Sequence, residues 1–212
     1  MELKRAADTT GADTAADTRS IGFGGMNDRM AFISGYTNRR LPSVARRSGD
    51  LNVYRNLALN PRDVQGDEYE VAVYPHASSN SEYAYLDEFA AKNVIDGRKE
   101  TAGHGPDFPS WGPNLRTDLW LKVDFGCEVE VDKCVVYLRA DFPHDGVWES
   151  GTLEFSDGSR VPVVFCATGE PQVFNFPKRR VTSVRLADLK PAAGPLKWSG
   201  VTEIEFWGRT AE

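Results

Sequence analysis

Cysteine is scarce in this chain. Cys127, Cys134 and Cys166 are an odd number with no CxxC pair, which excludes a disulfide framework and a cysteine-rich zinc site. Reduced thiols are expected, with Cys134 and Cys166 as small core residues because both sit within apolar strand patterns. Long apolar runs are also missing. No stretch approaches the roughly 18 residues of a membrane helix, and the N-terminal Met1-Glu2-Leu3-Lys4-Arg5-Ala6 leads into polar residues rather than a signal-peptide core. The expectation is no membrane partner and a cytoplasmic setting. Excess positive charge is lacking where a nucleic-acid surface would need it: residues 63–212 carry fifteen Lys and Arg against twenty-five Asp and Glu, a net of −10. Phosphates would be repelled, so no nucleic-acid partner is expected. The catalytic spacings HxH, HExxH and GxSxG are absent as well.

The apolar share is 41% and the aromatic share 11%, enough for one sizeable core in 212 residues. That core is unevenly supplied along the chain. Residues 6–18 are a run of Ala, Asp, Thr and one Gly with nothing large to bury, so residues 1–20 are predicted to be a flexible tail. Residues 21–68 form an extension of unsettled structure. Ile21, Phe23, Met26, Met30, Phe32, Ile33 and Tyr36 offer apolar surface without a period of 2 or 3.6, and Arg39, Arg40, Arg46 and Arg47 flank Pro42 as a solvated loop would.

Residues 69–212 change character, becoming short alternating runs separated by Gly, Pro, Asn and Asp, the pattern of an antiparallel β-sandwich. Leu119, Leu121, Val123 and Phe125 alternate with Trp120, Lys122 and Asp124, which predicts one buried and one polar face. Val129–Asp141 reads as a second strand. Leu153 and Phe155 lead through Asp157-Gly158 to Val161, Val163 and Phe165, a hairpin signal. Phe174/Phe176, Val184/Leu186 and Ile204/Phe206 add three strands, and Tyr69–Pro75 brings the total to about eight. Only Leu86–Val94 looks helical.

Three motifs together carry a family resemblance: Ala91-Lys92-Asn93-Val94-Ile95-Asp96-Gly97, Trp120-Leu121-Lys122-Val123-Asp124-Phe125-Gly126 and Val201-Thr202-Glu203-Ile204-Glu205-Phe206-Trp207-Gly208. In this order they resemble the galactose-binding-like superfamily, the discoidin and coagulation-factor C-domain type. Tyr74-Pro75-His76-Ala77 and Arg139-Ala140-Asp141-Phe142-Pro143-His144-Asp145 are similar to segments of uncharacterised bacterial discoidin-like proteins. The resemblance implies an all-β jelly-roll sandwich that binds carbohydrate. It also implies a structural Ca²⁺, with Asp96 and Glu203 at the ligand positions. Such an ion takes six to eight oxygens from carboxylates and carbonyls. The competing reading is that Asp96 caps a turn and Glu203 is solvated.

His76, His104 and His144 all fall in loop-like segments, and loops on a rigid sandwich are where such folds place sites. Arg139 and Asp141 are two apart on one expected strand and so share a face, with Pro143 ending that strand and delivering His144, Asp145 and Trp148 to a loop. With Trp111 these residues offer rings for stacking on a sugar and planar groups for gripping hydroxyls. Against this stand an internal Arg139–Asp141 ion pair and tryptophans in the core. The leading function is a noncatalytic protein for a saccharide or glycoconjugate, with a homo-oligomer allowed. The alternatives are a hydrolase or metal-dependent enzyme built on the His/Asp cluster, and a protein-interaction domain that uses the apolar extension.

Overall fold

The computed structural model describes residues 53–65, 73–194 and 198–211. The expected tail, most of the extension with its four arginines, and the segment around Tyr69 lie outside these residues. The described part is all-β, with no α-helix among the described residues. Seven strands form one continuous antiparallel sheet: β1 (Arg55–Asn56), β2 (His76–Ser79), β3 (Leu121–Leu138), β4 (Trp148–Phe155), β5 (Arg160–Val164), β6 (Gln172–Pro191) and β7 (Val201–Thr210).

Two of these strands are far longer than the sequence pattern suggests. Residues 119–125 and 129–141 are read as separate strands because Gly126 interrupts the alternation, yet the backbone runs on as β3. Gly126 serves instead as a bulge: its φ is +69°, and a Cβ there would lie 2.2 Å from the Tyr74 ring. The register with β6 shifts between Asp124 and Val129, as an unpaired stretch bends a strand without ending it. The Phe174/Phe176 and Val184/Leu186 runs likewise join as β6. β3 and β6 therefore serve both layers of the sandwich. Leu121–Asp124 of β3 pairs with β2 on one side and with Ser183–Leu186 of β6 on the other, and β6 there pairs in turn with β4, whereas Val129–Leu138 of β3 lies between β7 and the Gln172–Val181 half of β6.

Folding the sheet over places apolar faces against one another. Phe155 of β4 meets Phe176 of β6 at 5.0 Å between ring centroids, and Phe125 meets Phe206 edge-on at 5.8 Å, separations at which tilted rings attract. Leu121, Val131, Cys134, Leu153, Leu186, Ile204 and Phe206 are buried between the layers. The Asp157-Gly158 hairpin joins β4 to β5 as its sequence indicates. Cys166 lies beyond the end of β5 and is exposed, against the core position expected for it. There its N–H donates to Gln172 Oε1.

Leu86–Val94 is a second departure. In place of an α-helix, three short 3₁₀ turns cover Tyr83–Tyr85, Asp87–Phe89 and Ala91–Ile95. The reason is local: Ala90 is extended, which breaks the spiral, and Asn93 Nδ2 donates to the Asp87 carbonyl, occupying a group a helix would use. Outside the expected domain, β1 pairs with β7, Leu57 N–H donates to Phe206 O at 2.7 Å, and Leu57 and Ala58 enter the core. The sandwich therefore begins before residue 69.

A candidate ligand cleft beside two stacked histidines

β3 ends at Leu138, five residues before Pro143: Arg139 N–H still reaches Gly200 O beside β7, but Ala140 N–H turns away to donate to Thr101 O. The Arg139 side chain is buried. Its Nε lies 3.0 and 2.9 Å from the two Asp145 carboxylate oxygens, and Nη2 lies 2.8 Å from Oδ1. The ion pair expected with Asp141 is thus made with Asp145. The cause is the Asp141–Asp145 turn, in which Asp145 N–H donates to Asp141 O and Asp141 N–H donates to Asp145 Oδ2. That turn folds the Asp145 carboxylate under the arginine. Gly200 makes room for the pair, since a Cβ there would sit 3.2 Å from Arg139 Cζ and 2.9 Å from Trp111 O.

Asp141 is directed elsewhere, with Oδ2 2.7 Å from His104 Nδ1. His104 and His144 stack at 4.4 Å between ring centroids, 9° from parallel, and His144 Nδ1 lies 3.3 Å from Asp145 Oδ1. Three of the expected residues, His104, Asp141 and His144, thus come together at the surface. His76 does not join them: it lies on β2, and its Nδ1 is 2.8 Å from Asp63 Oδ1.

Both tryptophans expected at the site are core residues. Trp111 is fully buried, its Nε1–H donates to Ser81 O, and its backbone forms a bridge with Val201. Trp148 opens β4 with its side chain inward. Neither offers a face to a ligand. The Pro and Gly around Trp111 suggest an open loop, but this loop is pulled across the end of the sandwich by bonds to Ser81 and Val201, contacts that are distant in sequence.

The accessible aromatic surface comes from residues the sequence reading passed over. A cleft of about 420 Å³ is lined by Tyr83, Phe89, His104, Arg139, His144 and Trp198. Phe89, Tyr83 and Trp198 form an edge-to-face series, with centroid separations of 5.7 and 5.1 Å. Trp198 is 38% exposed. Its only sequence signal is an aromatic residue beside Ser-Gly in a stretch rich in Pro and Gly.

The Asp96 and Glu203 pair occupies a separate place. Glu203 is fully buried, and its Oε2 accepts a long bond, 3.3 Å, from Gly97 N–H while Oε1 has no partner. Burial first, and the nearby Asp96 carboxylate further, push its pKa up to about 9 against the opposing Gly97 bond. Asp96 is also raised, chiefly by burial, although Oδ1 accepts from Arg98 N–H in a turn cap. The nearby ammonium of Lys99 pairs with Glu205 instead. Glu203 is therefore not solvated, as the competing reading had it, whereas the Asp96 cap is present.

This architecture defines a galactose-binding-like β-sandwich. By its sequence, the chain belongs to the family of the domain of unknown function DUF7402, which matches residues 70–207. No curated protein matches it. Among solved structures it is similar to chitosan-binding module 1 from a chitosanase/glucanase of Paenibacillus sp. IK-5, at 19% identity and TM-score 0.51 over 73% of this chain and 99% of that one. It is also similar to a fucolectin from striped bass (Morone saxatilis) serum, at 20% identity and TM-score 0.53 over 75% and 50% of the two chains. A fucose-binding module of Streptococcus pneumoniae matches at 13% identity and TM-score 0.50 over 74% of this chain and 99% of that one. No helix among the described residues is long and apolar enough to cross a membrane.

Proposed function

We propose that this chain is a noncatalytic carbohydrate-binding module whose saccharide enters the cleft between Trp198 and the stacked histidines. The observation that carries this reading is the composition of the cleft. Tyr83 and Trp198 supply rings for the apolar face of a pyranose, and the histidines and Arg139 across the cleft supply directional polar groups for its hydroxyls. Asp145 does not use all five guanidinium donors, so Arg139 can hold a ligand oxygen while remaining neutralised. The three structures named above bind chitosan or fucose, or are named for it, which supports the same class of ligand.

The test is a screen of the whole chain against a broad glycan array, followed by calorimetry on the hits. Trp198→Ala should weaken binding by about 1–3 kcal/mol while leaving the melting temperature nearly unchanged, since an exposed aromatic anchor contributes to binding more than to folding. An array without hits, or affinity indifferent to Trp198 and Tyr83, rules the cleft out.

The buried carboxyl of Glu203 supports a structural Ca²⁺ as part of the same module. An orphaned carboxylate oxygen with no positive partner fits a hard cation, and Asp96 is close enough to add its own charge. Glu203 and Asp96 would hold the ion. Bound there, it would neutralise both carboxylates and tie the Asp96–Arg98 turn to β7. Calcium should raise the melting temperature of the EDTA-treated chain, and Glu203→Gln should abolish that rise. An equal response in both proteins would place the ion elsewhere.

A further inference from the structure

His104 and His144 reach one point of the surface from different loops, the first between Ile95 and Trp111 and the second after β3. Asp141 meets them there, and one donor atom from each of the three residues lies within 4.8 Å of the others. Ring stacking and the His104–Asp141 hydrogen bond hold two imidazoles and a carboxylate at one point of the surface. Two imidazoles and a carboxylate form the donor set that zinc and neighbouring divalent transition cations accept.

The surroundings favour a cation in three ways. Arg139 is the one positively charged side chain lining the cleft among the described residues, and it is neutralised by Asp145, so the charge of Asp141 sets the sign of the cluster. Asp145 is buried, held by the arginine, and lies against His144 Nδ1. A ring held through Nδ1–H presents Nε2 as a lone-pair donor, the carboxylate–histidine arrangement that orients metal ligands. His104 Nδ1 and Asp141 Oδ2 lie 2.7 Å apart, and a cation taking both as ligands replaces the proton between them. A tetrahedral site with bonds of about 2.0 Å separates its donors by roughly 3.3 Å, so no gap must close by more than about 1.5 Å. The histidine side chains are 43% and 52% exposed, and they have room to rotate inward.

We infer that His104, Asp141 and His144 form a binding site for a divalent transition cation of the zinc class, with a further coordination position open to the cleft. The site is independent of the calcium position, and its formation does not require a sugar.

Zinc alone is the probe. The whole chain carrying Cys166→Ser, which removes the exposed thiol as a competing ligand, is stripped with EDTA and dialysed into buffer containing calcium to occupy Asp96 and Glu203. Zinc is then titrated by calorimetry at neutral pH, and Co²⁺ loading is followed by visible absorption. One zinc per chain is expected. His104→Ala and His144→Ala should each weaken it by about tenfold or more, and His76→Ala should leave it unchanged. Melting curves establish that the variants remain folded, and His144→Gln, a polar replacement without a ligating imidazole nitrogen, should behave as His144→Ala does. The absence of saturable one-to-one binding overturns the inference, as does binding that survives both histidine substitutions.

Discussion

A buried ion pair and a lone buried carboxyl set opposite demands on this protein. Arg139 and Asp145 satisfy each other, so removing either leaves the other uncompensated in the interior. Arg139→Ala should cost about 3–5 kcal/mol, as broken buried pairs do, and a denaturant titration would read this as a lowered midpoint. Loss of ligand affinity in that variant would therefore not locate the ligand, whereas Trp198→Ala would. Glu203 has no such partner. Its carboxyl has an ordinary value of 4.5 and is pushed up to about 9 in the fold, so the native state holds a proton that the unfolded chain releases. In metal-free buffer, Glu203's contribution to stability is full below pH 4.5. It is lost as pH rises towards about 9, by up to about 1.4 kcal/mol per pH unit. Urea titrations across this range should show wild type losing ground to Glu203→Gln. Calcium competes with the proton for the carboxylate and should restore stability mainly at the alkaline end.

The elements show which signals a sequence carries and which it hides. Alternation over Leu121–Phe125 and the Asp157-Gly158 turn were legible because each depends on residues a few positions apart. The joining of two runs into β3 was not, because a glycine within a bulge and a glycine within a loop look alike until the partner strand is known. The same limit hid the cleft. His104, Asp141 and His144 were recoverable as polar groups on loops, but the burial of Trp111 and Trp148 depends on contacts with Ser81 and the opposite layer, and Trp198 gave almost no local signal. Bulge geometry is itself testable. Gly208 sits where a Cβ would come within 1.9 Å of the Glu130 carbonyl oxygen in the neighbouring strand. Backbone cannot yield as a side-chain end does, so Gly208→Ala should lower the melting temperature more than Gly158→Ala, whose site is open, although Gly158 bears a strain of about 1 kcal/mol from its own positive φ.

At the scale of the molecule, the fold extends beyond the stretch that defines its family. Family similarity covers residues 70–207, yet Leu57 and Ala58 are core residues and β1 covers the edge of β7. A chain beginning at residue 63 should melt below one beginning at residue 53, because it exposes both apolar surface and an unpaired strand edge. Equal melting temperatures would show β1 to be dispensable.

The antiparallel pairing of β1 with β7, Arg55 opposite Gly208 and Asn56 opposite Trp207, also sets how the domain responds to mechanical load. A pull across residues 53 and 211 acts at the same end of that ladder, so its bonds are loaded one after another as in a zipper. They are not sheared together. Stretched from both sides, the sandwich would give up its first strand at low force, while β3 and β6, threaded through both layers, would hold the remainder as one body until they failed together.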